Sequence, residues 1–224
     1  MTTDPTNRTS VPQKAQSQYD YLLLDGSGSM CSKVWESLDA IDAYVSGLKA
    51  QNVNSHIRVA TFSTAVDSSL DYDTVRDTPI DKWTPVITEP FGIRGGTTPL
   101  YDSINIMIKQ LRDLDPPKVS IVIITDGDEN SSKTNVHQAK ALLDWARAKG
   151  WQITFMGCDF DNQAQARLLG ANDSNSVGTS AKRLADAAAE LAKKRAHHAK
   201  YGTPMHFTDE ERNRFGGYLS APGK

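Results

Sequence analysis

The sequence predicts an open α/β sheet, mainly parallel, with helices on both faces. Three observations lead there. Tyr21 to Leu24 and Val119 to Ile124 are short continuous apolar runs, the composition of strands buried on both faces. Between such runs lie stretches whose apolar residues fall three and four apart, the spacing that lines one helical face. The two signals alternate along most of the 224 residues, as they do in βα repeats.

Taken in order, Tyr19 to Asp25 reads as the first buried strand, and Val34 to Ala50 as a helix through Val34, Leu38, Ile41, Val45 and Leu48. His56 to Ser63 is a second strand. Ser68 to Arg76, with Leu70, Tyr72 and Val75 alternating, reads as an edge strand beside it, antiparallel in an otherwise parallel sheet. Residues 77 to 96 hold three prolines and mostly form loops, with a short helix at Ile80 to Trp83. Thr98 to Leu114 returns to helical spacing and stops at Pro116 and Pro117. Val119 to Thr125 is β-branched and nearly uninterrupted, the clearest strand of the chain. Asn135 to Lys149 is a helix with Gly150 at its C-terminal cap position. A strand at Trp151 to Gly157, a short helix at Asn162 to Leu169, a strand at Ser174 to Val177 and an Ala-rich helix at Ala181 to Ala199 complete the domain.

Composition narrows the function classes. Hydrophobic residues make up 38% and charged residues 23%, and no apolar run approaches the roughly 20 residues of a membrane helix, so no membrane association is expected. A formal charge of −2 argues against a nucleic-acid partner. Residues 1–17 are polar enough to be read as a disordered arm. They lack the apolar core of a secretory signal, so a cytoplasmic location is expected. The domain proper is placed at 18–200 and a C-terminal tail at 201–224. Cys31 and Cys158, 127 residues apart, match no zinc or redox spacing and read as two buried small hydrophobes.

In open α/β sheets ligands bind at the carboxyl ends of strands, which directs attention to three loops. Asp25-Gly26-Ser27-Gly28-Ser29 follows the first strand, Gly95-Gly96-Thr97-Thr98 opens a helix, and Asp126 follows the strongest strand. Singly, each fits an ordinary helix cap or turn. Together they bring hydroxyls and carboxylates to one rim, without His or Cys. That is the chemistry of a hard cation such as Mg²⁺ rather than of zinc.

The run Asp25-x-Ser27-x-Ser29, the Thr of Gly95-Gly96-Thr97-Thr98-Pro99-Leu100 and the Asp of Ile124-Thr125-Asp126-Gly127 resemble the metal-ion-dependent adhesion site of von Willebrand factor A domains. The resemblance spans about Tyr19 to Ala199. It implies a Rossmann-like three-layer sandwich in which Ser27, Ser29 and Thr98 give hydroxyl ligands to Mg²⁺ or Mn²⁺. Asp25 and Asp126 would hold coordinating waters. Thr98 is preferred over Thr97 because the following Pro99-Leu100 aligns with the family's pattern. It further implies a non-catalytic adaptor or scaffold whose protein partner supplies a Glu or Asp to the ion.

Other chemistries fit less well. A dinucleotide loop needs G-x-G-x-x-G, but the third glycine position is Cys31. A serine hydrolase elbow needs G-x-S-x-G, but Asp25 stands two residues before Ser27. Asp128 and Glu129 beside Asp126 keep a metal-dependent phosphohydrolase as the enzyme alternative, although solvated loop charges explain them more simply. His197 and His198 are read as cations at a helix end. Residues 193–224 hold seven Lys or Arg against three acids, a net of +4, and read as a solvated helix end with a loose tail. Were that tail free, Asp209, Glu210 or Glu211 would be able to reach a second copy's site and build head-to-tail filaments.

Overall fold

Alternation of buried side chains along the central strands sets the layers. The computed structural model describes residues 18–88, 95–159 and 162–216. The expected arm at 1–17, part of the Pro/Gly loop and the last eight residues lie outside it. The strands are β1 (Gln18–Asp25), β2 (Ser55–Thr64), β3 (Leu70–Pro79), β4 (Lys118–Thr125), β5 (Gln152–Cys158) and β6 (Ser176–Thr179). They form one sheet in the order β3-β2-β1-β4-β5-β6, parallel throughout except for β3, which runs antiparallel to β2. The three-layer α/β fold and its antiparallel edge strand are as the sequence predicts.

Leu22 and Leu24 of β1, with Val122 and Ile124 of β4, face one apolar core. It is closed by α1 (Val34–Ala50) and α5 (Ala181–Tyr201). Tyr21 and Leu23, with Ile121 and Ile123, face the other, closed by α2 (Leu100–Leu114), α3 (Val136–Ala148) and α4 (Gln163–Leu168). The period of two thus divides an unbroken apolar run between both faces. Asn135 and Gln138 form a capping box at the start of α3, and Gly150 follows its C-cap at φ +81°.

Asp20 is the exception inside β1. It is fully buried, and a carboxylate there needs partners. Arg195 of α5 supplies one, with Nε 2.8 Å from Oδ1. The Tyr44 hydroxyl of α1 donates to the same oxygen at 2.7 Å, and Ser55 Oγ donates to Oδ2. One carboxylate therefore ties β1, β2, α1 and α5 together.

The loose tail expected beyond residue 200 is corrected by the structure. Gly202 ends α5 at φ +72°, and the chain then folds back along β6 through Met205 and Phe207 into a further helix, α6 (Asp209–Gly216). Phe207 N donates to Ser174 O at one end of β6, and Ser180 N to Phe215 O at the other. Phe207 and Phe215 meet edge to face at 6.2 Å. A Cβ added to Gly216 would stand 2.2 Å from Gly178 O, so only glycine permits this approach. The physical reason is the sheet edge. β6 is the outermost strand, an open edge invites pairing with another chain, and α6 packs against it.

Two of the three tail acids are engaged within the chain. Asp209 pairs with Arg212, and Glu211 pairs with Lys194 at 2.8 Å and caps α6 with Thr208. His198 Nδ1 donates to Thr203 O at 2.7 Å, and burial pushes its pKa down, which works against the helix-end cation expected there.

Two expectations arise from this docking. Truncation after Gly202 should expose β6 and increase self-association with or without Mg²⁺. Sedimentation velocity checks it, and an unchanged monomer with unchanged melting contradicts it. Burial raises the Glu211 pKa, but Lys194 and the Thr208 amide outweigh it and hold the carboxyl below the ordinary glutamate range. A depressed carboxylate stabilises the fold above its unfolded pKa and loses that contribution as pH falls through the folded value. Amide exchange in α6 should accordingly accelerate on acidification below the glutamate range before exchange in β4 does. Simultaneous loss of protection would contradict this.

Candidate metal centre

β1 lies between β2 and β4, so the connections leaving β1 and β4 diverge and open a crevice at their carboxyl ends, where α/β sheets bind ligands. Three loops are stitched together there. Gly28 N donates to Gly96 O at 3.1 Å, Thr98 N to Asn130 Oδ1 at 2.9 Å, and Asn130 N to Thr98 O at 3.3 Å. Gly96, at φ +81°, is needed for the crossing, since an added Cβ would stand 2.3 Å from Thr64 O.

Asp25 ends β1 and is completely buried. Its Oδ1 accepts from Ser27 N at 2.8 Å and its Oδ2 from Thr125 Oγ1 at 2.6 Å. Burial pushes its pKa up against these bonds, and the charge of Asp126 adds to the rise. Ser27 Oγ is 3.1 Å from Ser29 Oγ, and Ser29 Oγ donates to Asp126 Oδ1 at 2.6 Å. The other Asp126 oxygen takes the Lys33 ammonium at 2.5 Å. Asp25, Ser27, Ser29 and Asp126 are thus linked through a short chain of polar contacts. The Thr98 hydroxyl lies beside Gly127, 3.9 Å from where a Cβ on that glycine would be. Thr97 points elsewhere, its hydroxyl 3.0 Å from Thr64 Oγ1.

Several residues of this site escaped the sequence reading. Thr125 and Asn130 steady Asp25 and Thr98, and Lys33 neutralises Asp126. Glu129 is not a solvated loop charge. It accepts from Ser131 N, Ser132 N and Ser132 Oγ, and from Tyr101 N at the start of α2. Asp128 is exposed, as expected. Asp102 returns the favour for the loop, accepting from Lys133 N and Thr134 N. The only sequence signal for this latch is a polar loop opposite a helix start, whose free N–H groups need acceptors. Cys31 is exposed and only Cys158 is buried, because Met30 takes the inward position of the 3₁₀ turn at Gly28–Ser32. Burial pushes the Cys158 thiol up to about 12, which leaves it protonated.

Every donor at the rim is a hydroxyl or carboxylate oxygen, so the residues fit a hard cation such as Mg²⁺ or Mn²⁺. Among the described residues, no cluster of three or more His, Cys, Asp or Glu offers another metal site. No helix among them is long and apolar enough to cross a membrane.

Residues 21–193 match the family model of the von Willebrand factor type A domain. The chain belongs to this family. The von Willebrand factor type A fold also appears in solved structures of low identity. The pilus adhesin SpaC from Lactobacillus rhamnosus GG superposes with a TM-score of 0.66 at 12% identity, over 83% of this chain and 31% of SpaC. A von Willebrand factor type A protein from Catenulispora acidiphila gives 0.61 at 13%, over 81% of this chain and 43% of that one. The PilB minor pilin from Streptococcus sanguinis gives 0.57 at 14%, over 86% and 64%. The chain therefore spans less than two thirds of each of these proteins. No curated protein matches the sequence.

Proposed function

We propose that this domain is a non-catalytic protein-binding module, an adaptor or scaffold, that works through a divalent ion. Ser27, Ser29 and Thr98 would hold Mg²⁺ or Mn²⁺ directly, and Asp25 and Asp126 through water. The ion supplies a positive charge with room for one more oxygen ligand, which a Glu or Asp of a partner protein completes. The observation that carries the reading is the contact chain from Asp126 through Ser29 to Ser27, with Asp25 buried behind Ser27, at the sheet's switch point. Thr98 is preferred to Thr97 because Thr97 is already paired with Thr64. That SpaC is an adhesin and PilB a pilin supports an interaction role.

A phosphohydrolase would need a general base beside the ion; Glu129 has both oxygens taken by four donors, which leaves the exposed Asp128 to fill that role in the enzyme alternative. For head-to-tail assembly through the tail, Asp209 and Glu211 are paired within the chain, which leaves the exposed Glu210 as the acid to reach a second copy.

The test combines calorimetry and capture. Titration with MnCl₂ should reveal one site per chain, and immobilised protein should release its bound partner on EDTA treatment. No uptake of either ion, or steady turnover of p-nitrophenyl phosphate with Mn²⁺, would overturn the proposal.

A further inference from the structure

Lys33 stands between the 3₁₀ turn and α1, with its backbone fixed at both sides. Its N–H donates to Met30 O at 2.9 Å, and its carbonyl accepts from Ser37 N at 3.0 Å. Its side chain is 19% exposed, and the Asp126 side chain it meets is 0% exposed. This is a held ammonium, not a surface lysine that happens to lie near an acid. The two Asp126 oxygens are divided, one for the Ser29 hydroxyl and one for Lys33.

That division changes the charge balance at the rim. Asp25 and Asp126 bring two negative charges, enough to balance a divalent ion. With Lys33 included these three groups sum to a single negative charge, one short of balancing a divalent ion, and Asp159 is a further acid acting on the ammonium. Repulsion between the ammonium and the ion weakens metal binding, and the uncompensated charge favours an anionic ligand over water.

We propose that Lys33 is a built-in counter-cation that holds the metal affinity of the free domain down and makes its ion depend on a partner carboxylate. The proposal rests on the metal-dependent reading above and assigns Lys33 a specific part in it. Metal and acidic ligand then bind cooperatively, each supplying the charge that the other lacks, and by linkage the coupling is reciprocal.

Manganese titration of the whole chain tests this without any partner. Lys33→Gln keeps a donor for Asp126 and removes the charge, Lys33→Met removes both, and Lys33→Arg keeps the charge. Lys33→Gln and Lys33→Met should bind Mn²⁺ at least tenfold more tightly than wild type, and Lys33→Arg within about threefold of it. Equal or weaker binding by Lys33→Gln, with circular dichroism unchanged, would show that Lys33 only positions Asp126 and would overturn the proposal. If the wild type takes up Mn²⁺ and all variants match it, the metal-dependent reading stands and only this role for Lys33 falls. If none takes up Mn²⁺, both fall together.

Discussion

Asp25→Asn is expected to abolish Mn²⁺ and Mg²⁺ binding while leaving the metal-free melting temperature within a few degrees of wild type. The carboxylate of Asp25 is fully buried, and burial already disfavours its charged form. A neutral isostere therefore costs the empty fold little, because the Thr125 hydroxyl can turn and the Asn carbonyl still accepts from Ser27 N. What the substitution removes is the negative charge behind the Ser27 and Ser29 hydroxyls proposed to hold the ion. A ligand present at 100 times its Kd stabilises the native state by about 2.7 kcal/mol. For a domain of this size that raises Tm by roughly 5–10 °C. Wild type should show that shift in Mn²⁺ and Asp25→Asn should show none. An equal shift in both proteins would remove Asp25 from the site.

Asp20→Ala should be the most destabilising substitution in β1, by about 3–5 kcal/mol, since it leaves Arg195 buried without its countercharge. Tm should fall by roughly 6–20 °C, with metal affinity at the far end of the strands little changed in the protein that remains folded. Arg195→Met should cost a similar amount. Combining Asp20→Leu with Arg195→Met should cost much less than the two single losses together, because no unpaired charge remains. Thermal melts of the four proteins give the comparison, and simple additivity would show that the pair is not the link between α5 and the sheet that its geometry indicates.

The layered fold was legible because its signals are local. β4 is β-branched throughout and α2 keeps a strict apolar spacing, so neither depends on knowing its neighbours. The rim residues Asp25, Ser27, Ser29, Thr98 and Asp126 came from the resemblance to a family motif, since each alone fits an ordinary cap or turn; the structure links Asp25, Ser27, Ser29 and Asp126 through polar contacts. What the sequence hid was pairing at long range. Asp20 and Arg195 lie 175 residues apart, and Lys33 and Asp126 lie 93 apart, so neither pair has a spacing to read. Asp20 alone did leave a trace, as a charge inside an apolar strand that must find a partner. The tail was misjudged for another reason. Met205, Phe207 and Phe215 are too few and too irregular to show a period, and their burial depends on an open β6 edge that only the sheet order reveals. The capping box from Thr208 to Glu211 was the available clue.

The proposed function requires an ion among the oxygens at the end of β1. Crystals grown with MnCl₂, measured near the manganese absorption edge, test for it directly. The expected result is one anomalous peak bounded by the Ser27, Ser29 and Thr98 hydroxyls, with waters bridging to Asp25 and Asp126, and no such peak in Asp25→Asn crystals. A map with no peak there, and Lys33 still seated on Asp126, would contradict it.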